Sequence, residues 1–207
     1  RLGRALTPVA KGAALISWSG SMFEYLMPAL VMRTPAESLL ENTSNLVVWR
    51  QIEYATERGI PWGISESAYN VRDMGLTYQY SNFGVPGLGL KRGLADDLVI
   101  APYATMLAAM YQPAAAARNL RQIELAGGRG PYGYYEALDF TRERVPQSKP
   151  AVVIRAYMAH HQGMSLVAID NVIHSNIMRR RFHREPRVQA AQLLLQERTP
   201  RDIPVAR

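Results

Sequence analysis

Glu66 stands between Ser65 and Ser67, with Trp62 shortly before it and Tyr69 shortly after. Pro61 and Gly63 make the entry to this stretch irregular, because proline lacks a backbone donor and glycine relaxes the backbone. A carboxylate set among hydroxyls and flat aromatic rings suits a sugar. The rings stack on the apolar faces of a pyranose, the hydroxyls bond its rim, and the carboxylate acts at the anomeric carbon. The plainer alternative is a solvated loop glutamate, which is where most glutamates lie.

Other residues repeat the pattern. Gly130-Pro131-Tyr132-Gly133-Tyr134-Tyr135-Glu136-Ala137-Leu138-Asp139 gathers three tyrosines beside two acids. Read as helix, it puts Glu136 and Asp139 on one face. Trp18, Trp62, Tyr69, Tyr132, Tyr134 and Tyr135 are candidate stacking platforms, with burial in the core as the alternative. Glu24 is a carboxylate inside the apolar run 21–32. Burying it is costly without a partner, so it needs an arginine, a hydroxyl or a ligand. Asp97 either favours the N-terminus of the helix that follows it or contacts a sugar hydroxyl. Adjacent residues His160 and His161 point different ways on a helix, so their spacing does not make a metal site. His161 and Gln162 are instead candidate hydroxyl partners, with a satisfied buried histidine as the alternative. No metal and no cofactor is assigned. Gly87-Leu88-Gly89 lacks the flanking strand and helix of a phosphate loop.

These residues are expected on loops joining helices. One helix covers 21–32 with a kink at Pro28. A second opens at the capping box Thr34-Pro35-Ala36-Glu37 and closes at Gly59. Others enter through Pro102, start at Pro113, run from Lys149-Pro150 through Ile173, and cover about 186–197. Residues 71–95 read as a long loop with a short strand near 76–80. With no alternation of strand and helix, the expected fold class is all-α with little strand.

Composition bounds the rest. A chain of 207 residues, 48% hydrophobic and 20% charged, is long and apolar enough to bury a core. It has no Cys, which excludes disulfides, thiolate metal ligands and a thiol nucleophile. No apolar run approaches the roughly 20 residues of a membrane span. The formal charge is +7, but much of the excess falls in a basic tail, 179–207, that includes Arg179, Arg180, Arg181, Arg184, Arg187, Arg198, Arg201 and Arg207. A solvated helix face, or a contact with a further part of a longer protein, accounts for it, and no nucleic-acid motif accompanies it. Without an initiator Met, the chain reads as a piece of something longer.

Four motifs carry a resemblance. They are Ser17-Trp18-Ser19-Gly20-Ser21-Met22-Phe23-Glu24-Tyr25-Leu26-Met27-Pro28, Pro61–Tyr69, Gly130–Asp139, and Met158-Ala159-His160-His161-Gln162-Gly163-Met164-Ser165. In this order, and over nearly the whole chain, they resemble the central glycoamylase-like domain of bacterial cyclic β-1,2-glucan synthases. The resemblance implies the C-terminal part of an (α/α)6 toroid covering 1–207. It also implies a polytopic inner-membrane parent with this domain on the cytoplasmic side, and β-1,2-glucan as substrate. The implied activity is retaining transglycosylation that closes a linear glucan into a ring, with an inverting β-1,2-glucan hydrolase and a non-catalytic glucan-holding fragment as alternatives. By the same resemblance Glu66 is the catalytic nucleophile, and its acid/base partner lies upstream of Arg1. Glu24 and Glu136 then bind substrate or orient Glu66, while Asp139, the aromatic platforms, Asp97, His161 and Gln162 contact substrate. The remaining domains of the parent are the expected partners, and two copies of the piece could pair to cover exposed inner helices.

Overall fold

The computed structural model describes residues 5–9 and 12–199; Arg201 and Arg207 of the basic tail lie outside them. A hairpin of β1 (Leu6–Val9) and β2 (Gly12–Leu15) opens the chain. α1 (Met22–Leu26) follows, capped by the Ser21 hydroxyl, which accepts from Glu24 N. Pro28 stops it and starts a 3-10 turn, Pro28–Leu30, as its missing donor requires. α2 (Leu39–Thr56) is the long helix. Its cap is Ser38, whose hydroxyl accepts from Glu41 N, not Thr34. Glu37 has φ 61°, so the expected capping box is displaced by four residues.

Next come β3 (Ser67–Arg72) and β4 (Tyr78–Ser81), an antiparallel hairpin. β5 (Val99–Ile100) leads into α3 (Pro102–Ala108) and α4 (Pro113–Leu125). β6 (Arg129–Gly130) pairs with β7 (Gly133–Tyr134). β8 (Ala137–Asp139) lies between β5 and β9 (Val152–Ile154) in a three-stranded antiparallel sheet. α5 (Ala159–Ile173), α6 (Ile177–Phe182) and α7 (Pro186–Gln192) complete the described chain.

The expected all-α fold, a portion of an (α/α)6 toroid, is therefore corrected. Among the described residues the chain is mixed, about 40% helix and 17% strand in several small sheets. The missed strands are short. The helix expected from Lys149-Pro150 through Ile173 instead holds a strand at Val152–Ile154, and α5 begins only at Ala159. The run is β-branched, and such side chains lose rotamer freedom in a helix and pack well on a pleated surface. Asp139 likewise ends a strand and Glu136 directly precedes it, so the two do not share a helical face.

The core gathers where α1, α2, α3 and α5 meet the three-stranded sheet, with Met22, Val47, Ile64, Leu107, Leu138 and Ile154 fully buried. Among the described residues no helix is long and apolar enough to cross a membrane.

Candidate functional site

Glu66 ends an irregular buried segment. Buried backbone without regular structure must find partners for its N–H and C=O groups. Here two side-chain amides provide them. Gln51 of α2 accepts from Ile64 N and donates to Ile64 O, both at 2.8 Å. Asn119 of α4 accepts from Trp62 N at 3.0 Å and donates to Trp62 O at 2.7 Å. Each amide replaces a strand neighbour. Gly63, at φ 123° and packed against Thr105 and Ala101, makes the bend between them.

α1 docks on the same segment. Met22 N donates to Ile64 O at 3.2 Å, and Phe23 N to the Ser65 hydroxyl at 3.0 Å. The Tyr103 hydroxyl donates to Glu66 O at 2.9 Å and accepts from Ser65 at 2.8 Å. The backbone at Glu66 is thus fixed from α1, α2 and α3, while its side chain is only half-buried.

That side chain begins a chain of contacts running inward. Tyr80 of β4 donates to Glu66 Oε2 at 3.2 Å. The Tyr80 oxygen is also 3.4 Å from His161 Nε2. His161 Nδ1 is 3.0 Å from the Glu136 carboxylate, and Glu136 Oε1 accepts from Ala68 N at 3.2 Å. His161 is 1% exposed and Glu136 2%. Tyr103 stacks on the imidazole, ring centres 3.7 Å apart. Burial, then the negative charge and hydrogen bond of Glu66, hold the Tyr80 phenol above its usual range. Burial raises Tyr103 well above it too. Both hydroxyls are therefore standing donors at ordinary pH. Burial, then His161, lowers His160, so that ring is neutral.

Glu66, Glu136 and His161 come together, and Gln162 sits at the edge, donating to Tyr134 O at 3.2 Å. Glu24, half-buried beside the Ser65 junction, takes Ser19 N on both carboxylate oxygens, at 2.9 and 3.2 Å. Gly84 and Gly89 hold Ser19 there, because a Cβ on either would overlap its backbone. Trp18 next to it is 62% exposed. Tyr132 and Tyr135 flank Tyr157, ring centres 5.8 and 5.2 Å apart, and Tyr132 is 83% exposed.

Other candidates lie elsewhere. Trp62 is in the core, 6% exposed, and offers no open face. Tyr69 packs edge-on against Phe83, and Tyr134 donates to Leu120 O. Asp139, 0% exposed, pairs with Arg144, which also holds Asp97. Tyr80 and Tyr103 were missed. The Tyr78-Gln79-Tyr80 alternation in a short strand was a usable signal for the first. Tyr103 gave none, being one more apolar residue in a helix entered through proline.

The class follows from comparison. Residues 3–186 match the Glycoamylase family model, described as "Putative glucoamylase", and the chain belongs to that family. The cyclic beta-(1,2)-glucan synthase NdvB of Rhizobium meliloti (strain 1021) is 55% identical over 205 residues, 99% of this chain and 7% of the synthase. An endo-beta-1,2-glucanase from Chitinophaga pinensis, solved as a sophorotriose and glucose complex, aligns with TM-score 0.66 at 17% identity. That match covers 94% of this chain and 46% of the glucanase chain, and at such identity it speaks for the fold alone.

Proposed function

We propose that this chain is part of a glycoside-hydrolase-like domain acting on β-1,2-linked glucan, with Glu66 as the carboxylate that works at the anomeric carbon. The observation that carries the reading is the placement of Glu66: backbone fixed from three helices, side chain half-open, one hydroxyl donor on its oxygen. The kinship to the synthase supplies the substrate.

In the finer reading the reaction is retaining transglycosylation. Ionised Glu66 attacks the anomeric carbon; the glycosidic C–O bond breaks and a glucosyl ester forms. A second carboxylic acid protonates the leaving oxygen. The family resemblance puts it outside this chain, and the nearby acids have other partners: Glu136 meets His161 and Ala68, Asp139 meets Arg144, and Glu24 takes Ser19 N. A 2-hydroxyl at the far end of the same glucan then attacks the ester, returning its proton to that second group. Ring closure outruns hydrolysis where the site excludes water and holds the acceptor close. Trp18 and Tyr132, both exposed, and the half-buried Tyr135 are the rings assigned to carry glucose units.

The test is Glu66→Gln in the full-length protein. Cyclic product should fall on the order of 10³-fold or more, as when a nucleophile is removed, while linear glucan is still made. Cyclic product at wild-type levels would take Glu66 out of the role. Release of the inverted anomer from linear β-1,2-glucan would replace transglycosylation with inverting hydrolysis.

A further inference from the structure

We infer that Tyr80 is a two-position donor to Glu66, set by the buried Glu136–His161 pair, so that Tyr80, His161 and Glu136 position the working carboxylate without touching substrate. This rests on the reading of Glu66 given above.

Glu136 accepts from Ala68 N and meets His161 Nδ1 at 3.0 Å. A buried carboxylate against that nitrogen places the proton of the neutral ring on Nδ1. Nε2 is then a bare acceptor. The Tyr80 oxygen lies 3.2 Å from Glu66 Oε2 and 3.4 Å from His161 Nε2. One phenolic proton therefore faces two acceptors. While Glu66 is ionised, its charge makes the stronger hydrogen bond and takes the proton. Once Glu66 is esterified, its oxygen becomes a poor acceptor and Nε2 takes it. The phenol has a partner in either state, and the carboxylate regains its donor when the ester is cleaved. The Tyr103 ring, stacked on the imidazole at 3.7 Å, keeps Nε2 aimed at Tyr80. The titratable groups around this line are Glu66, Tyr80 from β4, Tyr103 from α3, Glu136 ahead of β8, and His160 and His161 from α5.

The test is kinetic, in the full-length protein with linear β-1,2-glucan. Tyr80→Phe keeps the half-exposed ring and removes only the hydroxyl, so the fold should survive. Loss of a hydrogen bond to a charged group lowers kcat about ten- to a hundredfold. KM should hardly move. Glu66 loses its hydroxyl donor, so the acid limb of the kcat/KM profile should move up. Glu136→Gln acts oppositely. Its amide donates to Nδ1, moves the ring proton to Nε2, and locks the Tyr80 proton on Glu66. The acid limb should fall, with kcat reduced. Removing the Glu136 charge also lowers that limb, so the double variant is decisive: in the Tyr80→Phe background the Glu136→Gln shift should shrink to that direct share.

An unmoved limb in Tyr80→Phe, or a Glu136→Gln shift of equal size in both backgrounds, overturns the inference. If Glu66→Gln keeps full activity, the reading of Glu66 falls and this inference with it. If Glu66→Gln is inactive while Tyr80→Phe matches wild type, only the two-position donor falls.

Discussion

Two buried carboxylates three residues apart do the same local job and opposite global ones. Glu136 accepts from Ala68 N, and Asp139 from Asn70 N, so both cap alternate amides of β3. Beyond that they diverge. Asp139 takes Arg144 at 2.8 Å and Thr141 N at 3.0 Å, and Asp97 holds the far side of the guanidinium. Among the described residues, the partners of Asp139 itself are a guanidinium and backbone amides. Among the described residues Glu136 meets no arginine. Its second neighbour is a histidine, then a phenol, then a half-open carboxylate. An arginine ends a line of proton donors, because it only donates and does not release its proton in proteins. Histidine and tyrosine both donate and accept, so they pass the line on toward the surface. One acid thus locks the sheet to β3, and its neighbour connects the sheet to the candidate site.

The largest expected effect breaks the locked side. Arg144→Met leaves Asp139 charged, fully buried and without its cation, a loss of about 3–5 kcal/mol in stability for a broken buried pair. Urea unfolding should show it. Glu136→Gln keeps an acceptor for Ala68 N and a partner for His161, and should lose only about 1 kcal/mol. Equal losses would erase the distinction between the two acids. A smaller effect comes from Asp97→Asn. That carboxylate is 31% exposed, and part-exposed pairs contribute about 1 kcal/mol or less. The rings proposed to face glucan give the corresponding small effect at the candidate site. Trp18→Ala should weaken binding of linear β-1,2-glucan by about tenfold, the worth of one stacked ring. Calorimetry reads it, and unchanged affinity would remove Trp18 from the substrate path.

The same contrast explains what could be seen in the sequence. Pro28, Pro102 and Pro113 marked helix starts or stops that the structure keeps. α4 was legible nearly end to end, since it is a local element with its own start signal. The three-stranded sheet was not. Its strands hold two or three residues each, too few for a period to develop. They exist because β8 finds β5 and β9 across long sequence gaps. Of the site, Glu66, Glu136 and His161 stood out as polar groups in unusual company. Their linkage did not, because Tyr80 reaches it through a hairpin and Tyr103 through a helix, and neither placement leaves a local mark. Trp62 misled for the opposite reason: an aromatic ring beside a carboxylate in sequence is turned inward by the Asn119 clamp on its own backbone.

The smallest effect separates the two networks by pH alone. The Tyr80 phenol is raised by burial and then by Glu66. Below about pH 10 it is protonated in both folded and unfolded chains, and stability does not depend on it. Above that the unfolded phenol ionises while the folded one still holds its proton. The unfolded state then binds fewer protons, and stability falls as pH rises. Tyr80→Phe should therefore flatten the decline in melting temperature above about pH 10. The Arg144 group should show no such dependence. Burial pulls that guanidinium down, but Asp139 and Asp97 together push it above its usual range, so it stays charged throughout. A Tyr80→Phe melting curve parallel to wild type across that window would mean the phenol is open to water, and the line from Glu136 to Glu66 would lose its middle member.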